Sequence, residues 1–178
     1  MALELNGTSG VSLVQDGVIT QADLASGVGG KLVSYALLWE EQTSTTDGGT
    51  FTSGDYRTRT LNQETDPDGI VTLSSNQFTL GAGTYLIKWS APAYQTGRHG
   101  TLLRNITDST NSYGSAEYTD AAYGGSNRSF GAARVTIASS KVFEIWHRAQ
   151  NTSNTFGLGV GTDWQPEIYT IVEIYKEA

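Results

Sequence analysis

The chain has 178 residues, of which 38% are hydrophobic and 16% charged, with 18 acidic against 11 basic side chains and a net charge of −7. The lack of a basic excess argues against a phosphate-gripping nucleic-acid protein, and the absence of cysteine excludes disulfides and thiolate zinc sites. No apolar run approaches the roughly 20 residues that span a bilayer, and Met1-Ala-Leu-Glu-Leu-Asn6 lacks the basic start and apolar run of a secretory signal.

Residues 1–31 carry apolar side chains in twos and threes between turn signals: Leu3 and Leu5, then Val11 and Leu13, then Val18-Ile19, with Gly27-Val-Gly-Gly30 closing the segment. Such short β pieces are too small to hold a core of their own. They read as an arm that packs on another protein, with Leu3, Leu5, Val11, Leu13 and Ile19 as its anchoring side chains. From residue 32 the strand signals become regular. Leu32 to Glu40 is an apolar, aromatic run, and Phe51 to Leu61 alternates, with Tyr56, Thr58 and Thr60 opposite Arg57 and Arg59. Asp66-Pro67-Asp68-Gly69 is a turn. Phe78 to Leu80 leads into Thr84 to Ser90, a central strand that Pro92 is expected to end. Leu102 to Thr107, Arg128 to Ala138 and Lys141 to Gln150 are further strands. The last, Ile168 to Tyr175, alternates Ile168, Thr170, Val172 and Ile174 against Tyr169, Ile171, Glu173 and Tyr175.

Turn signals every 8–12 residues or so mark a sandwich or barrel, and no sustained helical period appears. The predicted fold is all-β: an antiparallel β-sandwich of the jelly-roll type, with about eight strands, over residues 32–178. Both faces of the last strand are apolar or aromatic. One face suits the core, and the other calls for a cover that a symmetric oligomer supplies most simply. The subunit-interface candidates are Trp146, His147, Tyr169, Ile171 and Tyr175.

The stretches Gly49-Thr-Phe-Thr-Ser-Gly-Asp-Tyr-Arg-Thr-Arg-Thr-Leu-Asn62, Phe78-Thr-Leu-Gly-Ala-Gly-Thr-Tyr-Leu-Ile-Lys-Trp-Ser-Ala-Pro-Ala-Tyr94 and Arg134-Val-Thr-Ile-Ala-Ser-Ser-Lys-Val-Phe-Glu-Ile-Trp-His-Arg-Ala149 resemble the C-terminal knob domain of phage tail-fibre and virion surface proteins. The closing run Glu167 to Lys176 fits the same pattern, so the resemblance covers about residues 32–178. That family in turn resembles the trimeric jelly rolls of the C1q and tumour-necrosis-factor type. The resemblance implies a homotrimeric virion protein on the outer surface of a phage particle, with last-strand residues near the three-fold axis. It fits a tail-fibre tip for host attachment. Without a fibre shaft, it fits equally a capsid decoration or cement protein whose residues 1–31 clamp capsid subunits. The expected partners are further copies of the chain, other virion proteins and a host surface glycan or protein.

No catalytic constellation stands out. His147 lies in a strand and His99 in a loop beside Arg98, and no Ser-His-Asp arrangement accompanies them. Placed at a subunit interface, His147 is expected to loosen the trimer on charging below about pH 6.5. Asp66 and Asp68 hint at calcium, but Ile70 stands where a third ligand is needed, so the turn reading is favoured. Neither Gly81-Ala-Gly-Thr84 nor Gly157-Leu-Gly-Val-Gly161 has P-loop spacing. Glu40 and Glu41 point to opposite faces of a strand and cannot act as a paired acid and base. The chain is therefore expected to be non-enzymatic and to need no cofactor or metal. Tyr94, Arg98, Tyr118, Tyr123 and Trp164 are the candidates for a binding surface, because aromatic and arginine side chains stack on sugars and anchor protein contacts.

Overall fold

A computed structural model describes residues 32–178; the arm, with Leu3, Leu5, Val11, Leu13 and Ile19, lies outside the described residues. Eleven strands follow one another without a helix among the described residues: β1 (Leu32–Gln42), β2 (Arg57–Thr58), β3 (Gln63–Thr65), β4 (Val71–Ser74), β5 (Gln77–Leu80), β6 (Gly83–Tyr94), β7 (Gly97–Asn105), β8 (Thr110–Thr119), β9 (Ser126–Ile137), β10 (Lys141–Ala149) and β11 (Glu167–Glu177). They form two antiparallel sheets. The first has five strands in the order β3-β1-β11-β6-β9; the second has six, in the order β4-β5-β10-β7-β8 with β2 also on β10.

Alternation sorts the side chains. Ala36 and Leu38 on β1, Ile87 and Trp89 on β6, and Val172 and Ile174 on β11 turn inward from the first sheet. Phe78, Leu80, Leu103, Phe143 and Ile145 meet them from the second, with the rings of Phe78 and Phe143 stacked 5.6 Å apart. Burial of these side chains stabilises the sandwich by roughly 1.5–3 kcal/mol each. Leu32 pairs with Glu177 at one end of the first sheet and Gln42 with Glu167 at the other. The chain thus enters at one end of the sandwich. The long segments 43–56 and 150–166 lie at the far end, joined by the bridge Phe51–Ser153 and by Gly48 N–H to Gly159 O. Phe51, Ala93 and Ala149, with Leu158, make a small second core beneath them.

Between the two cores runs a polar layer. Arg59 is wholly buried. Its Nη2 donates to Glu40 Oε2 at 3.2 Å and to Leu158 O at 2.8 Å, and its Nε donates to Thr170 Oγ1 at 2.9 Å. Burial lowers its pKa to about 10 despite the Glu40 carboxylate, which pulls the other way. Its backbone N–H donates to Ile145 O of the second sheet while Glu40 and Thr170 belong to the first, so one residue ties both sheets.

Several expectations change. Phe51 to Leu61 is not one strand: only Phe51 bridges and Arg57–Thr58 pair, because Arg59 turns inward to Glu40. Pro92 does not end β6, which runs to Tyr94. Pairing with β11 stops at Ser90, while β9 continues alongside to Tyr94, so Pro92 sits where one flank of the strand is already free. β8 had no counterpart in the sequence pattern. A bulge between Gly100 and Leu102 sets an extra residue in its register and breaks the two-residue period.

Candidate functional site

The two sheets present different outer faces. On the first, cross-strand neighbours form three rows. Tyr35, Tyr175, Leu86 and Arg134 make one; Leu37, Glu173, Lys88 and Ala132 the next; Trp39, Ile171, Ser90 and Phe130 the third. The face is aromatic and aliphatic, with Tyr35 half exposed and Phe130 57% exposed. Its charges pair among themselves: Lys88 lies 3.7 Å from Glu173, Tyr175 donates to Glu173 at 2.6 Å, and Arg134 holds Glu177 through two hydrogen bonds of 2.8 Å.

The second sheet carries a groove of about 810 Å³ across β10, β7 and β8. Its floor is the cross-strand pair Gly100 and Ala116. Tyr113 stands on one side and the pair Arg98 and Tyr118 on the other, with Arg148 and Tyr56 at the end. The Arg148 guanidinium lies 5.9 Å from the Tyr56 ring centroid, Tyr56 lies 5.9 Å from Trp146, and Arg104 lies 5.1 Å from Trp146. These cation–π contacts fix the aromatic wall. Among the described residues neither Arg98, Arg104 nor Arg148 has a carboxylate within ion-pair distance. Glu117, which also lines the groove, accepts from Asn127 Nδ2 on β9.

Under the groove lies a buried histidine pair. His99 Nδ1 and His147 Nε2 are 3.0 Å apart, and His99 Nε2 and His147 Nδ1 have no partner. Burial holds His99 down to about 4, with Glu117 opposing and Arg59 adding to the shift. Burial also holds His147 well below the ordinary histidine range, helped by Arg59 and His99. Both rings are neutral at pH 7.

The trimer-interface candidates do not share a surface. His147 is 0% exposed and packs its ring edge against Phe51 inside its own chain, so it has no side-chain atom to offer a subunit. Tyr169 is likewise enclosed: its hydroxyl donates to Thr46 O, and the backbone of Gly159 leaves no room for a Cβ beside its ring. A register shift between Trp39 and Glu41, opposite Ile168 to Ile171, turns Tyr169 out of step with Ile171. Trp146 is on the outer face of the second sheet, where its Nε1 donates to Glu144. Ile171 and Tyr175 remain together on the first sheet's outer face. His99 is in β7, not a loop, because that strand begins five residues before Leu102 at Gly97.

Of the binding-surface candidates, Arg98 and Tyr118 are cross-strand partners in the groove. Tyr94 ends β6 with its ring edge against Phe156. Tyr123 is 92% exposed in the 120–125 turn, and Trp164 is 81% exposed in the 150–166 segment. All five lie toward the end opposite Leu32. Sequence reasoning missed Tyr56, Gly100, Tyr113, Ala116 and Arg148 as groove residues. The one available signal was the alternating Ala116, Glu117, Tyr118 and Thr119, which the Gly114-Ser115 bulge obscured.

The strand order and the two-layer packing define a C1q/tumour-necrosis-factor-like jelly roll. Solved structures of that kind are similar to this chain. A structure of murine APRIL at pH 5.0 has a TM-score of 0.54 at 9% identity, covering 80% of this chain and 98% of that one. Murine APRIL at pH 8.5 gives 0.50 at 10% identity with the same coverage, and the globular domain of zebrafish complement 1qA protein gives 0.48 at 15% identity, covering 80% and 95%. At these identities the likeness to APRIL shows the fold alone. No protein-family model matches the sequence, and no curated protein is similar to it in sequence.

Proposed function

We propose that this chain is a non-enzymatic, homotrimeric knob on the outer surface of a bacteriophage particle, which ends a tail fibre and attaches it to a host surface glycan or protein. The observation that carries the reading is the contrast between the outer faces. An aromatic and aliphatic sheet face with its charges internally paired suits burial against copies of itself. A grooved face with uncompensated arginines suits a ligand. The phage setting rests on the sequence resemblance of residues 32–178, and three-fold symmetry on the same likeness. Three modest sites on one knob gain avidity on a surface that displays many copies of a ligand.

The test has two parts. Native mass spectrometry is expected to give three chains; a single chain with intact β structure rejects the trimer. Gold-labelled antibody on intact particles is expected at tail-fibre ends. Label spread over the capsid shell replaces the attachment reading with the decoration reading, in which residues 1–31 grip capsid subunits.

A further inference from the structure

We infer that the groove between Tyr113 and the Arg98–Tyr118 pair is a binding site for a saccharide that carries an anionic group. The inference deepens the attachment reading and rests on it for its biological setting. The chemistry is local. Planar tyrosine faces stack on the apolar face of a pyranose ring, and Tyr56, Tyr113 and Tyr118 stand around one floor. Guanidinium groups bind carboxylate or phosphate through paired hydrogen bonds. Arg98 and Arg148 line the same floor with no carboxylate ion pair among the described residues, in a chain of net charge −7. Arg59, Lys88, Arg134 and Lys141 each hold a carboxylate within 4.0 Å, whereas the two groove arginines share one surface with no such partner, free to take an external anion. His99, 4% exposed, also contributes to the lining and keeps Nε2 without a partner.

The glycines separate a folding need from a binding need. A Cβ on Gly114 would lie 2.6 Å from Thr101 Oγ1 and 2.7 Å from Phe130 O, so the bulge itself demands glycine there. A Cβ on Gly100 would meet Ser115 O at 3.4 Å, an ordinary contact, and its φ is not in the left-handed region. The fold does not require glycine at 100. What its absent side chain preserves, with the small Ala116 opposite, is a floor deep enough for a sugar ring.

The test is calorimetric titration of the full chain at physiological salt with three probes: trigalacturonic acid, neutral galactotriose and glucose 6-phosphate. At least one anionic probe is expected to bind about tenfold or more tighter than galactotriose, and the probe that binds identifies the group as carboxylate or phosphate. Arg98→Gln and Arg148→Gln are each expected to weaken that binding about fivefold or more. Ala116→Phe and Gly100→Val, which fill the floor, are expected to remove it with the urea midpoint unchanged in at least the exposed Ala116 variant. Equal binding of galactotriose, no binding of either anionic probe, or anionic binding that survives Arg98→Gln, Arg148→Gln and Ala116→Phe overturns the inference. The two readings fail separately. Host-cell attachment that persists in Ala116→Phe removes the groove and leaves the knob. A wild-type chain that binds the anionic probe yet attaches to no cell leaves the groove and removes the attachment reading.

Discussion

The two outer faces are built on the same pleat and the same antiparallel pairing, yet they dispose of charge in opposite ways. On the β1-β11-β6-β9 face each lysine or arginine of the three rows meets a glutamate of the same face, and the remaining positions are aromatic or aliphatic except for Ser90. On the β10-β7-β8 face Arg98 and Arg148 meet aromatic rings and small residues instead, while Arg104, the cross-strand neighbour of Glu144, lies over the Trp146 ring and donates to Asn111 Oδ1. A face whose charges are mutually paired costs less to bury against another protein than one whose charges stand alone. A face whose cations lack counter-charges keeps its electrostatic attraction for a ligand. The difference shows that strand alternation alone decides only which side chains face outward. What an outer face does depends on how its rows pair across strands.

The largest effect is expected where the faces are held together. Arg59→Met leaves the Glu40 carboxylate buried without its cation and also cuts the ties to Thr170 and Leu158. Breaking such a pair costs about 3–5 kcal/mol. Urea unfolding should show a loss of that size, and both faces should fail together: trimer mass and groove binding fall in the same denaturant range. A loss under about 1 kcal/mol would mean that the hydrophobic cores alone set the register of the two sheets.

Next comes a change confined to one face. Ile171→Asp puts an unpaired carboxylate in the third row, between Trp39 and Ser90. The expected result is a single-chain native mass with far-ultraviolet circular dichroism and groove binding unchanged. Trp146→Asp, on the other face, is expected to leave the trimer mass unaltered. A trimer that survives Ile171→Asp moves the subunit contact off this sheet.

The fold was legible in the sequence and the contrast between its faces only in part, for physical reasons. The strand signals of Leu32 to Glu40, Arg128 to Ala138 and Lys141 to Gln150 declare themselves, and with them the jelly roll, whereas the alternating run Phe51 to Leu61 does not form one strand. Ile171 and Tyr175 follow from the two-faced last strand. His147 does not: an apolar neighbour and a strand position fit a core histidine as well as an interface one, and only the pairing of His147 with Thr101 across β10 and β7 turns it inward. Arg59 is hidden in the same way, since a charged residue in an alternating run reads as exposed until its partner Glu40, 19 positions away, is brought beside it. The groove was half visible, as Arg98 and Tyr118. Its floor depends on the register of β7 against β8, and a bulge erases that register from a linear pattern.

The histidine pair gives a smaller effect, and it separates the interior from both faces. In the folded chain both rings are held below the ordinary histidine pKa, so the unfolded chain takes up protons first as the pH falls. Stability is therefore complete above about pH 6.5 and declines through the window down to about 4, where His99 itself charges. Thermal unfolding should show a Tm that is level above pH 6.5 and falls below it, with a shallower fall in His99→Gln. Because His147 is enclosed by its own chain, the native mass should stay that of a trimer across pH 6.5 to 5. Dissociation in that range, abolished by His147→Gln, would place the pair at a subunit contact after all.

The smallest effect tests the neutralised face by itself. Lys88 and Glu173 lie 3.7 Å apart and are each about half exposed in the isolated chain, and Glu173 also accepts from Tyr175. An exposed pair of this kind contributes about 0–1 kcal/mol. In a single-chain Ile171→Asp background, Lys88→Met should therefore shift the urea midpoint by the equivalent of less than about 0.5 kcal/mol. In the proposed trimer the same substitution would strand the Glu173 charge in a face covered by other subunits, where the Tyr175 hydroxyl alone would hold it. The substitution should then weaken the trimer measurably, seen as dissociation at a higher protein concentration than in the unsubstituted chain. An equally small effect in both backgrounds would mean that the Lys88–Glu173 row stays in water, at the rim of the contact and not beneath it.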